Sequence, residues 1–400
     1  MHYLLAFDKF KSAITSDQAC SIAKEAILES DPGATVSICP LTDGGEGFAS
    51  VIATVLNGSL HEVEVPGPRF APTSGKFALV EVEKIPVPAL TRLELPGLNS
   101  GDRVAFVEMA SASGYECLSD EERNPWETTT YGTGVLIKAA VDAGAKAVVL
   151  GIGGSATNDC GAGALEALGV AYYDRELQEV TKVTPGKFKL INTVGSTSHL
   201  MDTFPPVRIA CDVTNPLLGE NGATHVFGPQ KGLKPEDLDR MERNIRKMGS
   251  RLLGLYGKNP ADWDDLMAEP GSGAAGGIGF ALRHALPDSS FVEGFQLVSE
   301  ILNLSDGVSN ADCVLTGEGR FDKSSLAGKG PFSLLVLTGQ EKPVNLFCGS
   351  ADPETVNQLS SIYPNLKVSE ISDPDWPLDR SLRETPNTLK KAVLGSNKAS

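Results

Sequence analysis

The sequence predicts an α/β protein: a parallel-sheet domain built from both chain ends, with a second α/β domain inserted between them. Three observations carry this expectation. Short apolar runs alternate with amphipathic stretches near both termini, the rhythm of a strand–helix–strand sheet. Two segments rich in turn formers, "PGPRFAPTSG" (Pro66–Gly75) and "EPGSGAAGG" (Glu269–Gly277), bracket a middle region where the rhythm is less regular. Polar clusters follow five of the apolar runs, and in open α/β sheets the carboxyl ends of strands line the ligand crevice. The expected boundaries are 1–70 with 285–400 for the discontinuous domain and 71–284 for the insert.

Taken in order, "YLLAF" (Tyr3–Phe7) reads as a buried strand ending at Asp8, and Thr15, Ser16 and Asp17 cap a helix that runs to about Glu29. "ATVSICPL" is the next strand. Phe48, Val51, Ile52, Val55 and Leu56 then share one helical face, and Gly58 stops that helix. In the middle, "SGKFALVEVE", "RVAFVEMA", "KAVVLGIGG" and "VRIACDV" read as strands, with helices at "GTGVLIKAAVDAGA" and "PEDLDRMERNIRKMGSRLLGLYG". Near the end, "DCVLTG" and "PVNLFCG" are strands, and "PFSLLVLTGQE" and "PETVNQLSSIY" are helices. The last 20 residues, polar and lysine-bearing, read as a loose tail.

Composition narrows the class. With 51 acidic against 35 basic residues the formal charge is −16, a mean field that repels nucleic acid and anionic membrane. Seven scattered cysteines with no Cys-x-x-Cys pair argue against a disulfide framework or zinc cluster and for a reducing compartment. The N-terminus reaches Asp8, Lys9 and Lys11 too soon for a signal sequence. A cytoplasmic protein is expected.

The polar clusters are "FDKFKS", "PLTDGGEGF", "GIGGSATNDCGAG", "CDVTNPLLGENGA" and "TGEGRFDKSS". In the third, Gly151, Gly153 and Gly154 allow close backbone approach of an anion, and a helix expected near Cys160 would offer its positive end; a tight turn capped by Ser155 or Asn158 is the plainer reading. "PGSGAAGG" contains Gly-x-Gly-x-x-Gly at Gly271, Gly273 and Gly276, but no strand precedes it, so a phosphate nest or a hinge fits better than a dinucleotide site.

"LTGEGRFDKSSLAGKG" (Leu315–Gly330) does not spell the Gly-x-x-x-x-Gly-Lys-Ser/Thr loop. Glu318 and Asp322 nevertheless suit a magnesium ion, and Arg320 or Lys329 suits phosphate oxygens. That mixture serves phosphoryl transfer, where catalysis is positioning plus electrostatic stabilisation of spread negative charge. Asp43, Glu46 and Asp212 are further strand-end carboxylates, suitable as ligands or as a base for a hydroxyl proton. The five histidines show no metal spacing, and no Gly-x-Ser-x-Gly elbow is present.

In this order the blocks "FDKFKSAITSDQA", "PLTDGGEGF", "VEMASASG", "TTTYGTGVLI", "GIGGSATNDCGAG", "CDVTNPLLGENGATHVFGPQKG", "PGSGAAGGIGFAL", "LTGEGRFDKSSLAGKGP" and "FCGS" make the chain similar to the type I glycerate kinase family, to about residue 380. The resemblance implies a Rossmann-like α/β domain formed by both termini with an inserted α/β domain. It also implies ATP and Mg2+ as cofactors and phosphorylation of D-glycerate to 2-phosphoglycerate, with 3-phosphoglycerate or a non-catalytic anion-binding relative as alternatives. The expected roles are Lys11 and Arg320 as anion clamps, Asp43 or Asp212 as base, Glu318 and Asp322 toward magnesium, and Gly153, Gly154, Ser155, Asn158, Gly273 and Gly317 toward ATP. A homodimer stays open. Departures from the usual family pattern are Ser12, Val135, Cys160 and Ser324, and residues 83–102 fit it poorly.

Overall fold

In the computed structural model the described residues are 1–42, 44–196, 203–323, 325–326 and 330–397; Asp43, Ser324 and Lys329 lie outside them. Among the described residues thirteen strands run in chain order: β1 His2–Phe7, β2 Thr35–Ile38, β3 Ser59–Pro66, β4 Pro72–Glu81, β5 Arg103–Glu108, β6 Ala147–Gly151, β7 Val170–Tyr173, β8 Thr193–Ser196, β9 Val207–Ala210, β10 Ser289–Val292, β11 Cys313–Phe321, β12 Val344–Ala351 and β13 Leu366–Glu370. The chain divides into two compact units, Met1–Asp43 with Val298–Ser400, and Gly44–Leu297.

The terminal unit is a Rossmann-like sheet of order β13-β12-β11-β1-β2, parallel throughout. Its central strands β1 and β11 pair through Leu4, Leu5, Val314 and Leu315, all fully buried, as expected for strands covered on both faces. The helix Ser16–Ser30 starts as the sequence indicates. Thr15 Oγ1 accepts the Gln18 N–H and Gln18 Oε1 accepts the Thr15 N–H, closing a capping box. Ala19, Cys20, Ala23 and Ile27 then face the sheet.

Two readings of this unit change. β11 does not stop at the polar cluster: it continues to Phe321 because β12 extends alongside, pairing Glu318 with Cys348 and Arg320 with Ser350. The C-terminal residues are no loose tail either. Leu378–Asn397 is a helix whose Leu389 and Val393, spaced by four, are buried against the helix Ser16–Ser30.

The second unit holds a six-stranded sheet of order β10-β9-β6-β5-β4-β3 and a separate β7–β8 ribbon. β5, β6, β9 and β10 are parallel, whereas β3 and β4 run antiparallel. Residues 44–70 and 285–297, expected in the terminal domain, bond here: β3 pairs with β4, β10 pairs with β9, and Phe48 packs edge-on against Phe106 at 6.0 Å. The break at Pro66–Gly75 is the β3–β4 hairpin, with Gly67 N–H donating to Ala71 O. Residues 83–102, which fit the family pattern poorly, form the helix Val87–Leu93 and are tied down by the buried Arg208 guanidinium, which donates to Leu93 O at 2.6 Å and Glu94 O at 2.7 Å.

Candidate active site

In the terminal unit, numbered by chain order alone, the strands run 2-1-3-4-5. The order reverses between β1 and β11, and such a switch point opens a crevice at the carboxyl ends of the two strands. Both strands carry charge into it. β1 hands over directly to Asp8, whose N–H donates to Gly317 O at 2.9 Å and whose Oδ1 accepts the Lys9 N–H at 2.7 Å. The chain then turns tightly, Ile14 N–H to Phe10 O at 3.1 Å, with Ser12 at φ 60°. Glycine adopts that left-handed conformation more readily than serine does. Phe10 is buried beside Phe7, which anchors the turn and leaves Lys11 exposed.

On the neighbouring strand, Glu318 is only 6% exposed. The glycines around it are there for space. A Cβ at Gly317 would sit 2.0 Å from Phe347 O, and one at Gly319 would sit 3.1 Å from Lys11 N. Gly317 is therefore required by strand packing. Asp8, Lys11, Glu318, Arg320, Glu370 and Trp376 line a pocket of about 580 Å³, a size that suits a small-molecule ligand. Arg320 has a side chain 76% exposed and pairs with Asp322 at 3.0 Å; Asp322 does not line the pocket.

In the second unit the loop after β6 behaves differently. Gly153, half-buried, and Gly154, exposed with φ 70°, form its tip. Everything beyond them is buried. Gly153 N–H donates to Gly44 O, Ala156 N–H to Ser113 O and Cys160 N–H to Gly276 O. Ser155 Oγ accepts from Lys231 Nζ at 3.0 Å, and Asn158 Nδ2 donates to Thr224 Oγ1 at 3.2 Å. The helix expected near Cys160 is the six-residue Ala162–Ala167. The Asp159 carboxylate already takes the Gly161 and Gly163 N–H groups at 3.1 and 3.2 Å, so the protein itself supplies the anion at that helix end.

Asp212 caps another helix, Gly294–Ile301: both its oxygens accept the Phe295 N–H at 3.0 Å. Gly273 is buried, and a Cβ there would sit 2.0 Å from Pro216 O. A Cβ at Gly276 would sit 2.2 Å from Thr157 O. "PGSGAAGG" is thus a packing turn beneath the β6 loop. Among the described residues no three His, Cys, Asp or Glu side chains gather as a metal-holding cluster.

A sequence profile of the glycerate kinase family matches residues 3–395. The chain belongs to the glycerate kinase family. Members of this family are phosphotransferases. It is 36% identical over 407 residues to a glycerate kinase of Bacillus subtilis, covering 98% of both chains. It is 33% identical over 354 residues to the glycerate 2-kinase of Escherichia coli, covering 88% of this chain and 85% of that one. A crystal structure from Salmonella typhimurium LT2, described as a glycerate kinase 2, superposes with a TM-score of 0.71 at 29% identity and covers 100% of this chain and 98% of that one.

For this family member the structure brings Lys11, Glu318 and Arg320 to one pocket and places Ser155, Asn158 and Gly273 in buried packing. Three residues escaped the sequence reading. Glu370, the last residue of β13, and Trp376, beyond it, line the pocket, and no motif marks them. Lys231 is 2% exposed, with Nζ donating to Thr157 O at 2.6 Å as well as to Ser155. Its only signal was a lysine inside "GPQKG".

Burial pushes the Lys231 ammonium down to about 7, opposed by the nearby Asp159. An unfolded chain keeps that proton up to the ordinary lysine range. Between about pH 7 and that range the unfolded state therefore binds more protons, and stability rises with pH. The urea midpoint of wild type, taken relative to Lys231→Met, should climb from pH 7 to pH 8.5. A difference that stays flat contradicts this.

Proposed function

We propose that this protein catalyses the ATP-dependent phosphorylation of D-glycerate and that the product is 2-phosphoglycerate. The observation that carries the reading is the switch-point pocket of the terminal unit, where the nearly buried carboxylates Asp8 and Glu318 stand among Lys9, Lys11 and Arg320. A pocket with cations for phosphate oxygens and carboxylates for a hard metal ion is what phosphoryl transfer uses. The name of the Escherichia coli relative, a glycerate 2-kinase, supports the hydroxyl choice.

The residues fit magnesium. Carboxylate oxygen is its preferred donor, and one or two carboxylates suffice because the ion keeps water and substrate phosphate in its shell. Glu318 and Asp8 line the pocket and Asp322 does not, so Glu318 with Asp8 is the better pair. The ion would neutralise charge on the transferring phosphoryl group. Lys11 and Arg320 hold phosphate oxygens and orient the nucleotide. The C2 hydroxyl oxygen of glycerate attacks the γ-phosphorus, its proton passes to a carboxylate base, and the bond to the β-phosphate oxygen breaks to release ADP. Asp43 or Asp212 is the base in this reading, the latter also accepting the Phe295 N–H.

We place the protein in the cytoplasm: all seven cysteines are free thiols, as in a reducing compartment. Among the described residues no helix is long and apolar enough to cross a membrane. A coupled assay of ADP release with D-glycerate, ATP and Mg2+ tests the activity. Turnover that needs all three supports it, and none above background in a folded sample refutes it.

A further inference from the structure

The pocket of the terminal unit is built from two chemistries, and the proposed function uses only one of them. At the ends of β1 and β11 it is ionic, through Asp8, Lys11, Glu318 and Arg320. Its other wall comes from the end of β13 and the segment after it, and offers Glu370, Ser372 and Trp376. Between the two lies bare backbone. A Cβ at Gly349 would sit 2.5 Å from Gly319 O and 3.6 Å from Ser372 Oγ, so no side chain divides the cavity there.

Trp376 is half-buried, with the Arg380 guanidinium over its ring at 4.2 Å from the centroid. A cation seated on one face restrains the ring. An indole so restrained, lining the cavity, is a platform for a flat, partly apolar group. Glycerate has no such group and is too small to fill about 580 Å³. A nucleotide has both a flat base and a polar, anionic remainder. Aromatic platforms bind bases through their π-faces, and an acidic residue at a strand end can accept ribose hydroxyls. Glu370 is the last residue of β13.

We propose that this pocket is the nucleoside site: the base of a purine nucleotide stacks on Trp376, its ribose hydroxyls meet Glu370, and its phosphates run toward Lys11 and Glu318. The identity of the ligand rests on the kinase reading, but its binding can be tested without turnover.

Full-length wild type and Trp376→Phe are titrated with ADP and, separately, with inorganic pyrophosphate while tryptophan emission is followed; Trp126 and Trp263 belong to the other unit. ADP is expected to change the wild-type emission, pyrophosphate to leave it unchanged, and Trp376→Phe to lose the ADP response. In steady state, Trp376→Ala should raise KM for ATP about tenfold or more and leave KM for D-glycerate within about twofold, with Trp376→Phe restoring most of the ATP affinity. No ADP response in wild type overturns the assignment, as does an equal response in Trp376→Phe. An unchanged KM for ATP in Trp376→Ala, or a parallel rise for both substrates, overturns it too. If the wild type fails to phosphorylate glycerate yet shows the Trp376-dependent ADP response, the kinase reading falls and the nucleoside site stands.

Discussion

Glu318→Gln lowers kcat by about 100- to 1,000-fold at saturating D-glycerate and ATP, and it leaves the urea unfolding midpoint close to wild type. The two halves of this expectation have one cause. Glutamine keeps the volume of a side chain that is 6% exposed at the floor of the pocket, so packing is retained, but it removes the charge that suits Glu318 to a hard cation. A buried charge is costly to hold, and replacing it with a neutral isostere need not destabilise the fold. The effect should appear in kcat more than in KM for glycerate, because the interaction strengthens as charge develops during transfer. Raising Mg2+ should recover part of the loss. Wild-type turnover in this variant would remove Glu318 from the site.

Asp159→Ala acts on the fold instead. The Asp159 carboxylate is fully buried and accepts from Thr130 N at 2.8 Å, Thr130 Oγ1 at 2.9 Å, Thr129 Oγ1 at 3.4 Å, Gly161 N at 3.1 Å and Gly163 N at 3.2 Å. Burial pushes its pKa up while these donors pull it down, and Thr130 Oγ1 itself accepts from Ala164 N–H at 2.8 Å. One carboxylate therefore joins the start of the helix Tyr131–Asp142 to the start of Ala162–Ala167. Alanine leaves three buried backbone N–H groups without that acceptor, and the expected loss is about 3–5 kcal/mol in urea denaturation. Asp159→Asn should cost less, about 1–2 kcal/mol, because its amide nitrogen can take the Oδ1 position, which meets only Gly161 N–H. Equal losses in the two variants, or a loss under about 1 kcal/mol for alanine, would contradict this role.

Asp159 also shows where sequence reading runs out. An aspartate beside glycines at a strand end has the same appearance whether it faces a ligand or caps a helix, and only burial decides. Cys160, at φ 54° and fully buried, belongs to the same packed turn. The strands were legible because continuous apolar runs such as Leu4–Phe7 and Val148–Leu150 are buried whatever their neighbours do. The helix start at Thr15 was legible because its capping chemistry is local.

Non-local features were not legible. β11 reaches Phe321 only because β12 runs beside Glu318 and Arg320. The final helix is mostly polar and is held by Leu389 and Val393 packing on a helix from the other end of the chain. The pocket shows the same division. Asp8, Lys11 and Glu318 follow recognisable strands, whereas Trp376 arrives from a segment whose sequence carries no periodicity pointing to it.

Phosphorus NMR of the reaction product decides whether phosphate reaches the C2 oxygen of glycerate. With D-glycerate, ATP and Mg2+, a new phosphomonoester resonance coupled to a single carbon-bound proton is expected, the signature of phosphate on the C2 oxygen. Coupling to a methylene pair would place the phosphate on C3 and contradict the proposed product. No new resonance from a folded enzyme would contradict phosphoryl transfer to glycerate itself.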